Sequence, residues 1–258
     1  MSNSISSISN NTQALAGRIA FVSGGSRGIG AAIVRRLVRD GAAVAFSYQA
    51  SEAPALALAA EIEAAGGHAL ALRADAADPA ALRAAIDTAA QRLGGHVDIL
   101  VNNAGVLRLG PVDQFALADF DETIAVNVRA VFAATQAVLP HMGAGGRIVN
   151  IGSINAERMP FGGGSVYAMS KSALKGLVQG LARDLGPRGI TINNVQPGPV
   201  DTDMNPEQTE FGASLHDLMA LRRHGRPEEI AAMVAYLAGP EAGFVTGASL
   251  NIDGGFGA

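Results

Sequence analysis

Short apolar runs alternate along the chain with longer Ala- and Leu-rich stretches in which apolar residues recur at helical spacing. The short runs predict seven strands, at residues 19–23, 43–47, 68–73, 99–102, 147–152, 191–196 and 249–252. The longer stretches predict six helices, at residues 28–40, 52–65, 79–93, 117–142, 166–185 and 227–237. Because most of the strands are apolar throughout, we expect a parallel sheet that is buried on both faces.

The alternation of strand and helix predicts one doubly wound parallel α/β domain over residues 17–258. Residues 1–16 are rich in Ser and Asn and lack the charged and apolar regions of a leader, so we predict a flexible extension. Residues 197–226 are punctuated by Pro and Gly between a strand and a helix. We predict that this segment covers a substrate.

Composition narrows the class of protein. With 258 residues, of which 48% are hydrophobic and 16% charged, the chain can bury a large core, which excludes a disordered protein. The net charge of -4 opposes binding to the phosphates of a nucleic acid polymer. No apolar run is long enough to predict a membrane span, and the lack of cysteine gives no support for an oxidising compartment. We expect a cytoplasmic protein without nucleic acid or membrane partners.

A glycine-rich turn follows the first predicted strand. The stretch Gly24-Gly25-Ser26-Arg27-Gly28-Ile29-Gly30 leads from this strand into a predicted helix. Glycines at this spacing permit close approach of a pyrophosphate, whose charge is favoured by the free N–H groups at a helix start. An ordinary glycine turn is the alternative, but the strand before the turn and the helix after it favour a dinucleotide site.

The second predicted strand favours NADP over NAD. A protein that prefers NAD usually has an acidic residue about 20 positions after the glycines, where it accepts a hydrogen bond from the ribose. Here the strand ends with Phe46-Ser47-Tyr48, and Arg27 in the turn can pair with a 2′-phosphate. The alternative is that Arg27 is solvated and that the site does not discriminate between the two cofactors.

Tyr167 and Lys171 are four positions apart and share one face of a predicted helix. A Lys ammonium beside a phenol lowers the pKa of the phenol, so Tyr167 is a candidate general acid and base. Ser153 follows a strand at the edge where parallel sheets bind ligands, and its hydroxyl is a candidate donor to a substrate oxygen. A Tyr-x-x-x-Lys pair alone is usually a surface coincidence, but together with the glycine-rich turn it predicts a catalytic site.

Six segments together resemble the short-chain dehydrogenase/reductase family, along nearly the whole chain. They are the turn at 24–30, Asn102-Asn103-Ala104-Gly105, Asn127, Ser153, Tyr167-Ala168-Met169-Ser170-Lys171 and Pro197-Gly198. The resemblance implies a Rossmann-type fold of about seven strands. It also implies NADPH-dependent hydride transfer to a ketone, aldehyde or keto ester, and the reverse oxidation of an alcohol. The stretch between Ser153 and Tyr167 is one residue longer than in many members.

The resemblance implies a role for each site residue. Tyr167 would protonate the oxygen that Ser153 polarises, Lys171 would hold the nicotinamide ribose, and Asn127 would hold a water molecule. NADP would contact Gly24, Ser26, Arg27, Gly28, Ile29, Gly30, Ser47, Tyr48, Asp75, Asn103, Ala104, Gly105, Tyr167, Lys171, Pro197, Gly198, Val200 and Thr202. Of these, Asp75 is expected at the adenine, Asn103 on the adenosine side and Thr202 at the carboxamide. A homotetramer that pairs the helices at 117–142 and 166–185 is also implied.

A second function stays open. Residues 24–36, 201–203 and 223–225 resemble family members that bind a cyclic dinucleotide, so Arg158, Arg222 or Arg223 could grip phosphates in a regulatory protein. Solvated arginines and subunit contacts are the ordinary alternatives. The five histidines lack paired ligand spacing, so no metal is expected. Seven apolar residues are predicted either to line a substrate pocket or to pack in the core or against another subunit, namely Met159, Phe161, Met204, Phe211, Leu215, Leu218 and Met219.

Overall fold

The computed structural model describes residues 13–258, so most of the predicted N-terminal extension lies outside the described residues. The last residues of that stretch are packed. Leu15 is buried, and its N–H donates to the Asp40 carbonyl at 2.8 Å. Within the described residues, packing therefore includes Leu15, two positions before the expected boundary at residue 17.

Seven strands form one sheet in the order β3-β2-β1-β4-β5-β6-β7, and every neighbouring pair is parallel. The strands are β1 (Ile19–Val22), β2 (Ala43–Tyr48), β3 (Ala69–Arg73), β4 (Ile99–Asn102), β5 (Arg147–Ile151), β6 (Thr191–Pro197) and β7 (Ser249–Ile252). This confirms the predicted doubly wound parallel sheet. The observed ends of the strands lie within one residue of the predicted ones because the apolar runs that define them are buried.

Helices cover both faces of the sheet. They are α1 (Gly28–Arg39), α2 (Glu52–Ala64), α3 (Pro79–Leu93), α4 (Leu117–Ile124), α5 (Ala130–Val138), α6 (Ser165–Leu185), α7 (Glu210–Ser214) and α8 (Pro227–Ala238). The prediction of one uninterrupted helix over residues 117–142 was wrong in one respect. A π-helical turn, Ala125–Arg129, separates α4 from α5, and a 3-10 turn, Leu139–His141, follows α5. The short helix α7 lies in the segment that was predicted to be irregular.

Two apolar cores lie on opposite faces of the sheet, because successive side chains along a strand point to opposite sides. Phe46 of β2 is fully buried in the core that also contains residues of α1, α2 and α8. Phe21 of β1 is fully buried in the other core, with residues of α3, α5 and α6. The sheet is thus covered on both sides, as the predicted continuous apolar strands require.

The most apolar helical stretch, Leu117–His141, satisfies the length and hydropathy expected of a membrane-spanning helix. Half of its most apolar window is nevertheless buried inside the fold, and α5 packs against α3 and β4. It is a core helix of this globular domain.

The order of the strands creates a crevice at one edge of the sheet. The chain proceeds from β1 outward to β2 and β3, and then returns to place β4 on the other side of β1. Ligands of doubly wound folds bind outside the carboxyl ends of the strands at such a reversal. The turns after β1, β4, β5 and β6 all begin at this edge, so the predicted site residues near these turns are brought to one place.

A small third core lies beneath the segment that was predicted to cover a substrate. Ile154, Leu215, Met219 and Phe256 are buried together, and Phe161 and Leu218 pack against them. Four of the seven residues predicted for a substrate lining or for packing therefore take part in packing. Met204 and Phe211 keep large exposed surfaces, although the Phe211 ring also meets the edge of Phe161 at 5.5 Å between centroids.

Replacing either fully buried phenylalanine of the two large cores should destabilise the fold strongly. We expect Phe21→Ala and Phe46→Ala each to lower the free energy of unfolding by about 3–5 kcal/mol, since each leaves a cavity in a packed core. Phe244→Ala is the control, because the Phe244 side chain is fully exposed and its loss should change stability by less than about 0.5 kcal/mol. Urea denaturation measures the three values. A Phe46→Ala variant as stable as Phe244→Ala would contradict this description of the core.

Candidate active site

The glycine-rich turn between β1 and α1 is packed too tightly for side chains. Gly28 has a φ of +52°, which favours glycine. A Cβ at Gly30 would lie 2.2 Å from the Gly24 carbonyl oxygen and 2.6 Å from Nδ2 of Asn103. The turn therefore needs glycine at both positions, and this lets its backbone lie close against the end of the sheet.

Polar groups from neighbouring strands hold the turn in place. The Asn103 amide donates to the carbonyls of Ser23 and Gly24, at 3.1 and 2.8 Å. The hydroxyl of Ser23 accepts from the N–H groups of Asn103 and Ala104, at 3.0 and 3.1 Å. Ser47 completes the support, since its Oγ accepts from the Gly24 N–H at 3.2 Å.

Three of the predicted cofactor contacts have protein partners. Ser47 is buried, and its hydroxyl supports the glycine-rich turn from the sheet. Tyr48 is also buried, and its hydroxyl donates to Glu52 at 3.3 Å. Asn103 holds the turn. Contact of these three residues with a bound cofactor stays a prediction.

The start of α1 can accept an anion. Within residues 13–258, no side chain forms a capping hydrogen bond at this helix start, where Arg27 is the residue before the helix. The guanidinium of Arg27 is exposed, with Asp203 at 3.9 Å. Thr202 of the covering segment lies across the turn, because its methyl group is 3.4 Å from where a Gly28 Cβ would be. Ser26 and Ile29 are partly exposed beside this helix start. This open, glycine-lined cradle fits a pyrophosphate.

The end of β4 connects the turn with the second half of the site. Ala104 is held by Ser23, as described above, and Gly105 follows it. A Cβ at Gly105 would lie 3.4 Å from Oδ1 of Asn127 and 3.5 Å from Nζ of Lys171. Residues 102–106 therefore run from the anion cradle to the predicted catalytic residues. Asp75, just beyond β3, accepts from the Ala77 N–H at 2.8 Å and from the Gln49 amide at 2.9 Å.

Ser153, Tyr167 and Lys171 come together at the end of β5. Nζ of Lys171 donates to the Ile151 carbonyl at 2.9 Å, which docks α6 two residues before Ser153. The same ammonium lies 5.8 Å from the centre of the Tyr167 ring. Ser153 is buried close to the Tyr167 hydroxyl, and its Oγ accepts from the Asn155 N–H at 3.1 Å. The longer stretch between Ser153 and Tyr167 is accommodated by a 3-10 turn and by the Gly110 N–H, which donates to the Gly163 carbonyl at 2.9 Å.

Burial away from water is the main cause of the pKa shifts of Tyr167 and Lys171 on α6. Desolvation raises the pKa of Tyr167, and its hydrogen bond with Ser153 opposes this shift. Burial lowers the pKa of Lys171 to about 8, since the charged ammonium is disfavoured away from water. The expectation that Lys171 lowers the pKa of the phenol is not met in this geometry, because the ammonium is directed at the Ile151 carbonyl.

Asn127 lies in the π-helical turn between α4 and α5. Its side chain accepts from the Val106 N–H at 2.9 Å and donates to the Val106 carbonyl and to Ser170, both at 3.0 Å. Both polar atoms of the Asn127 side chain are thus occupied by protein groups. Ser170 and Ser23 are the supporting residues that sequence reasoning missed. Two features of the sequence could have identified them. Ser170 lies within the segment from Tyr167 to Lys171, and Ser23 is a polar residue directly after a buried strand.

The segment after β6 folds back over the site. The backbone of Gly198 leaves no room for a side chain, because a Cβ there would lie 2.7 Å from Cα of Asp253. Pro197 ends the strand in a buried position, and Val200 pairs with Gly225 in an isolated bridge. Thr202 then forms a tight turn with Asn205. This path brings Thr202 to the glycine-rich turn, and its implied contact with the carboxamide stays a prediction.

The three arginines considered for a cyclic dinucleotide have separate partners. Arg158 donates to the Phe256 carbonyl and lies over the Phe256 ring. Arg223 forms a two-fold contact with Glu229, at 2.9 and 2.8 Å, and this contact helps lower the pKa of Glu229 to about 2. Arg222 is exposed, with Asp217 at 3.9 Å.

The covering segment also brings together Glu207, His216 and His224, whose ligand atoms all lie within 4.8 Å of one another. Their separation along the chain follows no regular ligand spacing, which is why the sequence analysis did not detect the cluster.

Comparison with known proteins places this chain among close relatives. Residues 24–257 match the family model described as Enoyl-(Acyl carrier protein) reductase. The chain is 51% identical over 245 residues to the cyclic-di-GMP-binding biofilm dispersal mediator protein of Escherichia coli K12, covering 95% of this chain and 99% of that protein.

Solved structures agree with this match. A short-chain dehydrogenase/reductase from Serratia marcescens BCRC 10948 is 62% identical, with a TM-score of 0.93, and the match covers 95% of this chain and 99% of that chain. A short-chain dehydrogenase from Burkholderia cenocepacia J2315 in complex with NADP is 51% identical, with a TM-score of 0.93, and the match covers 96% of this chain and 100% of that chain.

The buried Lys171 should make stability depend on pH in a defined direction. Its pKa is about 8 in the folded chain and 10.5 ordinarily, so between these values the unfolded chain holds more protons and the folded state gains stability as pH rises. We expect the melting temperature of the wild type, relative to Lys171→Met, to increase from pH 8 to 10.5. Lys175→Met, which removes a partly exposed lysine on the same helix, should keep this increase. If the melting temperatures of wild type and Lys171→Met changed with pH in the same way, the lowered pKa of Lys171 would be contradicted.

Proposed function

This chain belongs to the short-chain dehydrogenase/reductase family, and we propose that within it the protein is an NADPH-dependent carbonyl reductase that also catalyses the reverse alcohol oxidation. The observation that carries this proposal is the convergence of Ser153, Tyr167 and Lys171 at the end of β5, beside the glycine-rich turn. Binding of a nucleotide alone does not require such a set. It does suit proton transfer to a substrate oxygen.

We assign the cofactor as NADP because the anion cradle fits its phosphates. The uncapped start of α1 suits the pyrophosphate, and the exposed guanidinium of Arg27 is available to a 2′-phosphate. Asp203 lies 3.9 Å from Arg27 at an exposed position, where a pair of this kind is weak and easily replaced. The complex of the Burkholderia cenocepacia relative with NADP supports the same assignment.

The protein residues would supply the proton and orient the substrate. Bound NADPH supplies the hydride. Tyr167 donates its hydroxyl proton to the substrate oxygen, and its raised pKa keeps the phenol protonated at neutral pH, which favours reduction. Ser153 donates a hydrogen bond to the same oxygen once its hydroxyl turns from Asn155.

Lys171 and Asn127 would replace the proton that Tyr167 loses. With a pKa of about 8, the Lys171 amine can gain and lose a proton near neutral pH. Gly105 leaves space beside Nζ of Lys171, and the Asn127 side chain borders the same space. We assign the Asn127 backbone carbonyl to a water molecule that links Lys171 to solvent.

The substrate class follows from the covering segment. Exposed Met204 and Phe211 offer apolar surface, and the Phe211 ring contacts Phe161, which packs on the small core that contains Ile154. A small ketone, aldehyde or keto ester suits such a surface better than a highly charged substrate. Initial rates over a panel of such carbonyl compounds with NADPH test this class. The homotetramer implied by the sequence stays a prediction.

Removing one oxygen atom from Tyr167 tests the proposed proton donor. We expect Tyr167→Phe to reduce kcat by about 10²–10⁴-fold while leaving the dissociation constant of NADPH little changed, because the phenol acts on the reacting oxygen. Tyr236→Phe is the matched control, since Tyr236 is exposed on α8 and should keep full activity. Steady-state rates and a fluorescence titration of NADPH measure both values. Full activity of Tyr167→Phe would refute the role of this residue.

Arg27 should determine the preference for NADPH. We expect Arg27→Ala to weaken NADPH binding by about ten- to a hundredfold, as loss of a charge-assisted contact worth roughly 1.5–3 kcal/mol requires, and to leave NADH binding unchanged. The control is Arg39→Ala, which removes an exposed arginine from the opposite end of α1. Isothermal titration calorimetry gives the four affinities. An unchanged NADPH affinity in Arg27→Ala would mean that residues other than Arg27 bind the 2′-phosphate.

A second candidate function is binding of a cyclic dinucleotide in a regulatory role. It is favoured by the 51% identity to the cyclic-di-GMP-binding mediator of Escherichia coli. The structure favours it less, since Arg158 and Arg223 would have to leave Phe256 and Glu229. Titration of cyclic-di-GMP into wild type and Tyr167→Phe separates the two functions. A regulatory protein would bind it equally in both forms and reduce no carbonyl in the panel.

A further inference from the structure

Glu207, His216 and His224 form a compact cluster inside the covering segment. Nε2 of His216 lies 3.0 Å from Oε1 of Glu207 and 3.1 Å from Nδ1 of His224. The third edge, from Nδ1 of His224 to Oε1 of Glu207, is 3.9 Å. Successive members of the cluster are nine and eight positions apart along the chain, so the fold and not a local helix brings the three atoms together.

The spacing of the three atoms matches a metal coordination sphere. A triangle with these edges has one point about 2.0 Å from every corner, which is the length of a bond from Zn²⁺ to an imidazole nitrogen or a carboxylate oxygen. The His224 side chain is fully buried, whereas His216 and Glu207 are partly exposed. An ion near this point would therefore be reached from solvent, and after a small adjustment of the three ligands a water molecule could complete a tetrahedral site.

Neighbouring groups orient the ligands. Nδ2 of the Asn205 side-chain amide lies 3.2 Å from Nε2 of His224, so turning the amide over would bring its oxygen to accept the ring proton when Nδ1 binds a metal. The backbone N–H of Glu207 donates to Asp201 at 3.0 Å, and Oε1 of Glu207 accepts from the backbone N–H of His224 at 3.1 Å. Both contacts fix Glu207 independently of any ion.

We propose that Glu207, His216 and His224 bind one divalent transition-metal ion of the Zn²⁺ class. Two imidazole nitrogens and one carboxylate oxygen suit Zn²⁺, Co²⁺ or Ni²⁺, while Ca²⁺ and Mg²⁺ require oxygen ligands. This inference does not rest on the proposed reductase activity, because it uses none of the residues placed at the end of β5.

Such an ion would tie the covering segment to the body of the domain. Glu207 and His216 flank α7, whereas His224 is next to Gly225, which pairs with Val200 beside β6. Asn205, which orients His224, also forms the tight turn with Thr202 that lies across Gly28. Metal binding would therefore hold the segment in its closed position over the glycine-rich turn.

Direct metal titration tests the site. The full chain is prepared without a polyhistidine tag, stripped with a chelator, and titrated with Zn²⁺ by calorimetry and with Co²⁺ by visible absorption. We expect one ion per chain and the strong visible bands of four-coordinate Co²⁺. His216→Ala should weaken Zn²⁺ binding by about 100-fold or more, since it removes one of three protein ligands. Zn²⁺ should raise the melting temperature of the wild type and not of His216→Ala.

Two further variants make the outcome decisive. His141→Ala is the matched control, because His141 pairs with Asp87 at 2.7 Å as another histidine–carboxylate contact and should bind Zn²⁺ like the wild type. Glu207→Gln keeps the shape of the side chain but removes its charge, and should lose at least tenfold in affinity even if His216→Ala folds poorly. Equal Zn²⁺ affinity in wild type and Glu207→Gln, or loss of binding in His141→Ala, would overturn the proposal and leave a cluster joined by hydrogen bonds alone.

Discussion

Close packing between the glycine-rich turn and the end of the sheet is the constraint on which the rest of this structure depends. The turn can approach β1 and β4 only because Gly30 has no side chain and because Asn103 donates to the Gly24 carbonyl. That approach sets the direction of α1, so that the free N–H groups at its start face the crevice. If the turn stood further from the sheet, the Asn103 contact would be lost, and with it the position of residues 102–106.

The two halves of the site are coupled through those residues. Val106 is held by both polar atoms of the Asn127 amide, and Asn127 is held in turn by Ser170 on α6. The next residue, Lys171, is docked on β5. One continuous set of hydrogen bonds thus fixes the nucleotide cradle relative to Tyr167 and Ser153. Transfer of a hydride and a proton to one carbonyl group requires that the cofactor and the proton donor be held in fixed relative positions.

The sequence was sufficient for the sheet and for bringing Ser153, Tyr167 and Lys171 to one edge of it, because the signals for both are local. Continuous apolar runs marked the strands, and glycines that permit close approach marked the turn. The π-helical turn was not predictable, since its cause is a set of tertiary contacts made by Asn127. The contact of Ser47 with Gly24 was not predicted, because sequence position identifies the end of a strand but not the contact that its side chain makes. The Glu207, His216 and His224 cluster had no periodic signal, since its members meet only after the segment has folded.

The buried amine of Lys171 also links ligand binding to the proton balance of the solution. Near pH 8 the protein without ligand is a mixture of two charge states, one with an ammonium and one with a neutral amine at this position. A ligand that places oxygen atoms beside Nζ stabilises the ammonium and draws the mixture toward that state. By linkage, each binding event near this pH then takes up a fraction of a proton from the buffer. The observed heat of binding near pH 8 will therefore include the ionisation heat of the buffer, even for a ligand that carries no titrating group.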